Sequence, residues 1–159
     1  MTIANPFATR SELDFELPPF ALIKEEHYLP AFYEGCEQQL AEVKAILDAP
    51  GAATFENTIV ALEKSGQMLM RMLLVFYNKS SSDTSDELDA IEEEMAPKLA
   101  AHQDAIQLNP VLFKRIKDLY DARESIGLNT EDAWLLERYY KDLIHAGAHL
   151  TEAQRDRLK

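Results

Sequence analysis

The sequence has few cysteines and few basic residues. Its single cysteine, Cys36, excludes an intrachain disulfide and a cysteine-based zinc site. The 16 lysines and arginines stand against 28 aspartates and glutamates, which gives a formal net charge of −12. Nucleic-acid binding depends on cations that displace counterions from phosphates, so this excess of acids indicates that nucleic acid is not a partner.

Long apolar runs are also missing. The most apolar stretch, residues 68–77, contains Arg71 and is about half of the ~20 residues that a membrane-spanning helix needs. The N-terminus carries Pro6, Arg10 and Glu12 where a signal peptide has its apolar core. We therefore expect no membrane interaction and a cytoplasmic location.

Apolar residues make up 47% of the chain and follow helical spacing. A domain of this length buries roughly 68–70% of the surface that its unfolded chain exposes, enough for a core without disulfides. Apolar residues recur at steps of three and four, as on one face of a helix. We predict an all-α fold, an antiparallel helical bundle of about five helices plus a truncated sixth, preceded by an extended N-terminal arm. The arm covers residues 1–24 and is expected to pack on the helical body, residues 25–159.

Capping and breaking residues predict where the helices begin and end. Asn57 and Thr130 are suited to N-caps, and Thr84 and Glu87 have the spacing of a capping box. Gly66 predicts a bend or a close backbone approach inside the second helix. The predicted helices cover residues 28–48, 57–80, 84–109, 110–124 and 130–147.

A sixth helix is predicted from Thr151, where Gln154 completes another capping-box spacing. No stop signal precedes Lys159, so we interpret this helix as cut short and expect the chain to be the front piece of a longer protein. Surfaces that normally face the absent region would then be exposed. We accordingly expect an exposed apolar patch and some self-association of the chain.

Two predictions concern the buried faces of the helices. The second half of helix 57–80 is apolar nearly all round, so we expect it to be buried nearly all round. In the fifth helix, spacing predicts a buried face formed by Trp134, Leu135, Tyr139, Leu143 and Ile144.

His145 and His149 are the strongest candidates for chemistry, because histidines four residues apart on a helix can share a metal ion. The zinc-peptidase motif also needs a glutamate directly after the first histidine, and Ala146 stands there. Gly147 predicts that the helix ends between the two histidines. Asp142 and His145 have the carboxylate-x-x-His spacing of di-iron bundles, which require two such pairs. We favour ordinary surface histidines, with a metal-binding bundle as the alternative.

The other polar clusters favour structural roles. His102 lies on an apolar stripe at the edge of the predicted core, and His27 is placed to cap or pack at a helix entrance.

The glutamates at 92–94 point in three directions and cannot converge on one ion. The basic residues at 114–117 could pair with those glutamates and are too few to bind a polyanion. The serines at 80–82 have no nucleophile-elbow context. The methionines are expected to fill the core, with a peptide-binding face as the alternative. We assign no catalytic, cofactor-binding or metal-ligating residue to this chain.

Several short segments, taken in order, carry a more specific signal. They are NPF at 5–7, LPPF at 17–20, EHYLPAF at 26–32, FENTI at 55–59, ALEKSG at 61–66, DEL at 86–88 and LNP at 108–110. Together they resemble the N-terminal region of thimet-oligopeptidase-type zinc metallopeptidases. RESIGL at 123–128 and AGAHL at 146–150 favour the bacterial peptidyl-dipeptidase branch, also called dipeptidyl carboxypeptidases, over the oligopeptidase A branch.

This resemblance implies a much longer, almost wholly helical enzyme with two lobes around a deep channel. In that family the zinc ligands and the general base lie in an H-E-x-x-H helix and a downstream glutamate, which are beyond Lys159. The chain would form part of the channel wall, and its partners would be the missing C-terminal catalytic lobe and short peptide substrates. The parent enzyme would use zinc to release dipeptides from peptide C-termini. The chain itself would hold no cofactor and would be inactive.

The residues leave one further reading open. An acidic helical chain that is complete at Lys159 is typical of a stand-alone protein-interaction module, which is the alternative to a peptidase domain.

Overall fold

Helices form the regular structure of the computed structural model, which describes residues 5–151 and residue 154. Within these residues there are no strands, and the predicted all-α fold is confirmed. The predicted sixth helix, 151–159, falls almost entirely outside the described residues. The described residues form five long α-helices and one short one: α1 Tyr28–Asp48, α2 Ala61–Glu63, α3 Gln67–Ser82, α4 Asp86–Gln107, α5 Pro110–Ala122 and α6 Thr130–Ala146.

None of the helices in the described part of the chain is both long and apolar enough to cross a lipid bilayer.

The chain divides into two compact units, each with its own core. The first unit comprises the described parts of Met1–Glu42 and Ser65–Ala100, and the second those of Val43–Lys64 and Ala101–Lys159. The division into an arm, 1–24, and a body, 25–159, stays a prediction.

The core of the first unit is built around aromatic side chains. The Tyr28 ring lies 5.6 Å from the Phe7 ring and 5.2 Å from the Phe76 ring, the latter edge to face. All three side chains are buried. Edge-to-face packing of this kind adds roughly 0.5–1.5 kcal/mol to the free energy that each ring gains from the area it buries. The core therefore connects the N-terminal segment, which we define as residues 5–20, with the start of α1 and the middle of α3.

The second unit is centred on the packing of α5 against α6. Leu112, Ile116 and Leu119 line one face of α5 and are buried, as are Leu136 and Leu143 of α6. These residues recur at steps of three, four and seven, the spacing that places side chains on one helical face.

The predicted second helix is interrupted, and Asn57 is not its N-cap. Thr54 is the cap: its Oγ1 accepts a hydrogen bond from the Asn57 backbone N–H at 3.1 Å, and Asn57 Oδ1 accepts one from the Thr54 N–H at 2.9 Å. A π-helical turn, Phe55–Val60, follows and leads into α2. Gly66, with φ of 70°, then separates α2 from α3.

Gly66 also confirms the predicted close approach. Its backbone N–H donates to Glu42 Oε2 at 2.7 Å, and a Cβ at this position would lie 2.4 Å from Gln39 Nε2. The α3 helix therefore begins directly against α1.

Two further N-caps lie one residue earlier or later than predicted. Ser85, rather than Thr84, caps α4, because its Oγ accepts from the Leu88 N–H at 3.3 Å. Asn129, rather than Thr130, caps α6, because its Oδ1 accepts from the Asp132 N–H at 2.9 Å. Neighbouring polar residues can each serve as an N-cap. The one that does so is the last residue before the helix with non-helical backbone angles.

Two predicted buried faces are partly exposed. In α3, Met68, Leu69 and Met72 are buried in the core, whereas Met70 and Leu74 are largely exposed to solvent. In α6 the side chain of Trp134 is 62% exposed, and Leu136 occupies the core instead. A helix packed on one side only has a single buried stripe, so apolar residues beyond that stripe stay outside.

Candidate functional site

The N-terminal segment is fixed to the first unit by a small polar and aromatic anchor. Asn5 Nδ2 donates to the His27 carbonyl at 2.9 Å, and Asn5 Oδ1 accepts from the Phe7 N–H at 3.1 Å. The Phe7 ring is buried against Tyr28. From α3, Arg71 Nη2 donates to the Phe7 carbonyl at 3.1 Å. These contacts hold the chain at Phe7 and direct the following residues along α3.

A groove of about 470 Å³ lies between this segment and α3, within the first unit. Its walls are mostly apolar, with polar groups at Arg71, Asn78 and Glu16. Ligand sites in proteins are typically apolar clefts of ~300–1,000 Å³ with a few polar groups. The apolar walls come from Pro6, Phe7, Pro18, Pro19, Phe20, Leu74 and Val75.

One end of the groove continues into a chain segment with an unusual surface. We call residues 12–17 the acidic–apolar segment, because Glu12, Asp14 and Glu16 alternate with Leu13, Phe15 and Leu17. All six side chains are exposed, and Phe15 is 97% exposed. Exposed apolar residues that stand alone are ordinary, whereas a cluster of them marks an interaction surface.

The backbone of the acidic–apolar segment is strained. Phe15 and Glu16 have φ of 58° and 56°, in the left-handed region. That conformation costs a residue with a side chain roughly 1–2 kcal/mol. The hydrogen bond from the Glu16 N–H to the Leu13 carbonyl at 2.9 Å and the Arg10–Glu16 ion pair at 3.1 Å hold the turn.

A second polar cluster joins α1 to α4. The Tyr33 hydroxyl donates to Glu94 Oε1 at 2.5 Å, and Lys98 Nζ donates to the same oxygen at 2.9 Å. Hydrogen bonds from Tyr33 and then Lys98 lower the pKa of Glu94 below its ordinary value. Because these groups are exposed and satisfy one another, the cluster is a surface ion pair of small energetic weight.

In the second unit, polar contacts hold the π-helical turn and α2. Arg115 Nη2 donates to Asn57 Oδ1 at 3.1 Å and to Thr58 Oγ1 at 3.4 Å. The Tyr139 hydroxyl donates to Glu63 Oε1 at 2.6 Å, and burial followed by this bond raises the pKa of Tyr139. These bonds fix residues that local propensity alone would not hold in place.

The two late histidines do not converge. The α6 helix ends at Ala146, and Gly147, with φ of 90°, separates His145 from His149. Both histidines are exposed, and Asp142 accepts a hydrogen bond from Arg138 Nε at 3.0 Å. In the described part of the chain, no group of three or more histidine, cysteine or acidic side chains is placed to hold a metal ion. The described residues therefore do not fit a zinc site.

The other histidines have structural positions. His27 Nδ1 accepts from the Lys24 N–H at 3.0 Å, which confirms the predicted capping role. His102 is buried, and burial lowers the pKa of its imidazole below the ordinary value. Burial therefore favours the neutral form of this imidazole.

The predicted basic patch and the serines find their partners nearby. Lys114 and Lys117 pair with Asp118 and Asp121, one turn further along α5, rather than with the glutamates at 92–94. Ser81 and Ser82 donate to the Tyr77 and Asn78 carbonyls at 2.6 and 2.7 Å, respectively. Such bonds within a helix satisfy the hydroxyl donors locally.

The groove and the acidic–apolar segment were not among the sequence-predicted sites. The groove depends on the contact between Arg71 and the Phe7 carbonyl, 64 residues apart, which no local pattern signals. The alternation of acidic and apolar residues at 12–17 is visible in the sequence and could have indicated a two-faced segment.

The chain is similar to two kinds of bacterial peptidase, although no known protein-family profile matches it. It is 40% identical over 159 residues to the dipeptidyl carboxypeptidase of Escherichia coli (strain K12), covering 100% of this chain and 23% of that protein. The dipeptidyl carboxypeptidase of Salmonella typhimurium (strain LT2) is 39% identical over 155 residues, 98% of this chain and 23% of that protein. Oligopeptidase A of the same Salmonella strain is 25% identical over 155 residues, again 98% of this chain and 22% of the relative. The chain spans less than a quarter of the length of these relatives, and the matched stretch lies in their N-terminal part.

Proposed function

Because this chain is homologous to the N-terminal part of thimet-oligopeptidase-family peptidases, we propose that it is the helical N-terminal domain of a zinc-dependent peptidyl-dipeptidase. The parent enzyme releases dipeptides from the C-termini of oligopeptides in the cytoplasm. Residues 25–159 belong to the lobe that walls the substrate channel, and residues 1–24 form an arm on that lobe.

The observation that carries this proposal is the identity of 40% to a dipeptidyl carboxypeptidase over the complete chain. The identity to oligopeptidase A, 25% over 155 residues, is lower. The difference favours the peptidyl-dipeptidase activity over the activity of oligopeptidase A.

The role assigned to this chain is scaffold and gate. Several of its titratable side chains pair in i,i+4 ion pairs, hold turns, or are buried, as Glu94, Arg115 and His102 illustrate. Zinc, its ligands and the general base belong to the parent enzyme outside this chain, because the described residues do not fit a metal site. The C-terminal catalytic lobe and short peptides are the partners in this proposal.

The proposal is tested by reading the coding region downstream of Lys159 and assaying both proteins. The isolated chain, supplied with zinc and an N-terminally blocked tripeptide, should not hydrolyse it. The full-length protein should release the C-terminal dipeptide, lose activity on chelation and regain it with zinc. Turnover by the isolated chain would place the chemistry here and contradict the proposal.

A stand-alone interaction module is the second candidate, and the exposed Phe15 and Trp134 side chains favour it. A stop codon directly after Lys159 would support this module and overturn the peptidase proposal. Light scattering over a range of concentrations then measures whether the isolated chain associates with itself through its exposed apolar side chains.

A further inference from the structure

We propose that the acidic–apolar segment docks on an apolar face, flanked by basic side chains, of the polypeptide region that follows this chain in the longer peptidase. The inference rests on the proposed function and adds to it the surface through which the two parts meet.

The acidic–apolar segment and the residues that follow it expose a run of large apolar side chains. Leu13, Phe15 and Leu17 lie at every second position and are all more than half exposed, and further along the chain Phe20 and Leu22 are exposed as well. Five large apolar side chains within ten residues are a concentration that isolated soluble chains normally bury. A protein surface with matching apolar depressions is the partner that would cover them.

The acidic–apolar segment is held only by contacts within residues 10–17, among those that are described. Phe15 adopts a left-handed conformation that is an outlier for a bulky aromatic residue, and its ring is almost completely in solvent. Such conformations persist when the surroundings fix them, and here the described hydrogen bonds and ion pair are local. They are the bonds from the Glu16 N–H to the Leu13 carbonyl, from the Leu17 N–H to the Asp14 carbonyl and from the Leu13 N–H to Ser11 Oγ, and the exposed Arg10–Glu16 ion pair. A docked partner surface would supply the missing constraint.

Charge decides what kind of partner fits. Glu12, Asp14 and Glu16 alternate with the apolar side chains, so the partner surface needs cations beside its apolar depressions. A second copy of this chain carries a net charge of −12 and would be repelled. Electrostatics therefore favours a basic partner over self-association at this segment.

The length of the relatives identifies the source of that partner. The match covers 100% of this chain but only 23% of the dipeptidyl carboxypeptidase. Most of such a protein therefore lies outside the matched region. A region tethered on the same polypeptide has a high effective concentration at this surface, and weak contacts then suffice for docking. The groove, which shares Glu16 with the segment and continues along Leu74, extends the same surface.

Thiol labelling tests the proposal in the full-length protein and in the isolated chain. The lone Cys36 is first replaced, Cys36→Ala, and single cysteines are introduced by Phe15→Cys and, as a control, by Glu124→Cys, whose native side chain is 90% exposed. In the isolated chain both cysteines should react rapidly with a maleimide. In the full-length protein the cysteine at 15 should react at least about tenfold more slowly, while the cysteine at 124 keeps its rate.

Charge reversal tests the nature of the contact. Combining Glu12→Lys, Asp14→Lys and Glu16→Lys with Phe15→Cys should restore labelling in the full-length protein to within about threefold of the isolated chain. Unchanged protection in this variant would contradict a basic partner face.

Dipeptide release by the unsubstituted full-length protein separates this inference from the proposed function. An active enzyme in which the cysteine at 15 labels as fast as in the isolated chain overturns the docking inference alone. A reading frame that ends at Lys159 overturns both. Protection of the cysteine at 15 that rises with the concentration of the isolated chain would assign the segment to a second copy and also overturn the inference.

Discussion

Gly35 of α1 lies directly against the backbone of Leu69 in α3, and a Cβ at Gly35 would lie 2.9 Å from both the Cα and the N of Leu69. The two helices can approach this closely because residue 35 has no side chain. Aromatic packing of Tyr28 on Phe76 joins the same two helices nearer the start of α1. The first unit therefore depends on a small residue at this crossing.

Gly35→Ala should destabilise the chain. Forcing a methyl group against backbone typically costs ~1–3 kcal/mol, from which the higher helix propensity of alanine returns up to ~1 kcal/mol. Urea unfolding followed by far-ultraviolet circular dichroism measures the net loss, expected at about 1–2 kcal/mol. Glu37→Ala, on the exposed face of α1, is the control and should change stability by less than ~0.5 kcal/mol. An unchanged midpoint for Gly35→Ala would show that α1 and α3 can separate at no cost.

Sequence patterns predicted the helices where the determining contacts are local. The Asn109-Pro110 pair correctly predicts the start of α5, because Asn109 Oδ1 accepts from the N–H groups of the next turn. Gly147 correctly predicts the end of α6 through its left-handed backbone. Both signals lie within four residues of the boundary that they determine, and neighbouring turns do not compete with them.

Predictions failed where distant residues decide the structure. The π-helical turn at Phe55–Val60 is held by Arg115, more than fifty residues away, so the local pattern at Asn57 could not reveal it. Trp134 was expected in the core because of its helical spacing, yet its side chain is largely exposed and Leu136 of α6 is fully buried. The groove beside Phe7 depends on Arg71 in the same way.

The buried His102 predicts a pH dependence of stability. Burial lowers the pKa of His102 below the ordinary value of 6.5, so the unfolded chain binds a proton more readily than the native one. The stability that comes from burying neutral His102 is therefore fully present above pH 6.5. It is lost as the pH falls through and below that value. The limiting slope for one proton is about 1.4 kcal/mol per pH unit.

Urea unfolding from pH 7.5 to pH 5 measures this slope. His102→Leu should flatten the loss of stability on acidification, whatever its effect on stability at pH 7.5. His149→Gln, at an exposed histidine, should keep the slope of the parent chain. A His102→Leu variant with an unchanged slope would show that other groups cause the acid sensitivity.

Metal removal should leave the stability of the chain unchanged. His145 and His149 are separated by the end of α6, and no other group of ligands in the described residues converges with them. A native-state metal site saturated to 100 times its Kd would add about 2.7 kcal/mol, or a Tm shift of more than ~5 °C. Differential scanning calorimetry with EDTA, and separately with zinc sulfate, should show no such shift. A rise in Tm with zinc that His145→Gln abolishes would revive the metal-binding alternative.

Arg71 should control how firmly the N-terminal segment is attached, because its guanidinium donates to the Phe7 carbonyl from α3. Arg71→Met keeps the aliphatic stem and removes this charged hydrogen bond, whose loss is expected to favour detachment by ~1–2 kcal/mol. Arg10 lies within the segment and is a trypsin site. When detachment is fast, cleavage follows the population of the detached state, so cutting after Arg10 should accelerate about tenfold while helix content stays constant. Lys64→Met removes an exposed cation elsewhere and should leave this rate unchanged. Equal cleavage rates in folded Arg71→Met and the parent chain would mean that Asn5 and the buried Phe7 ring hold the segment without Arg71.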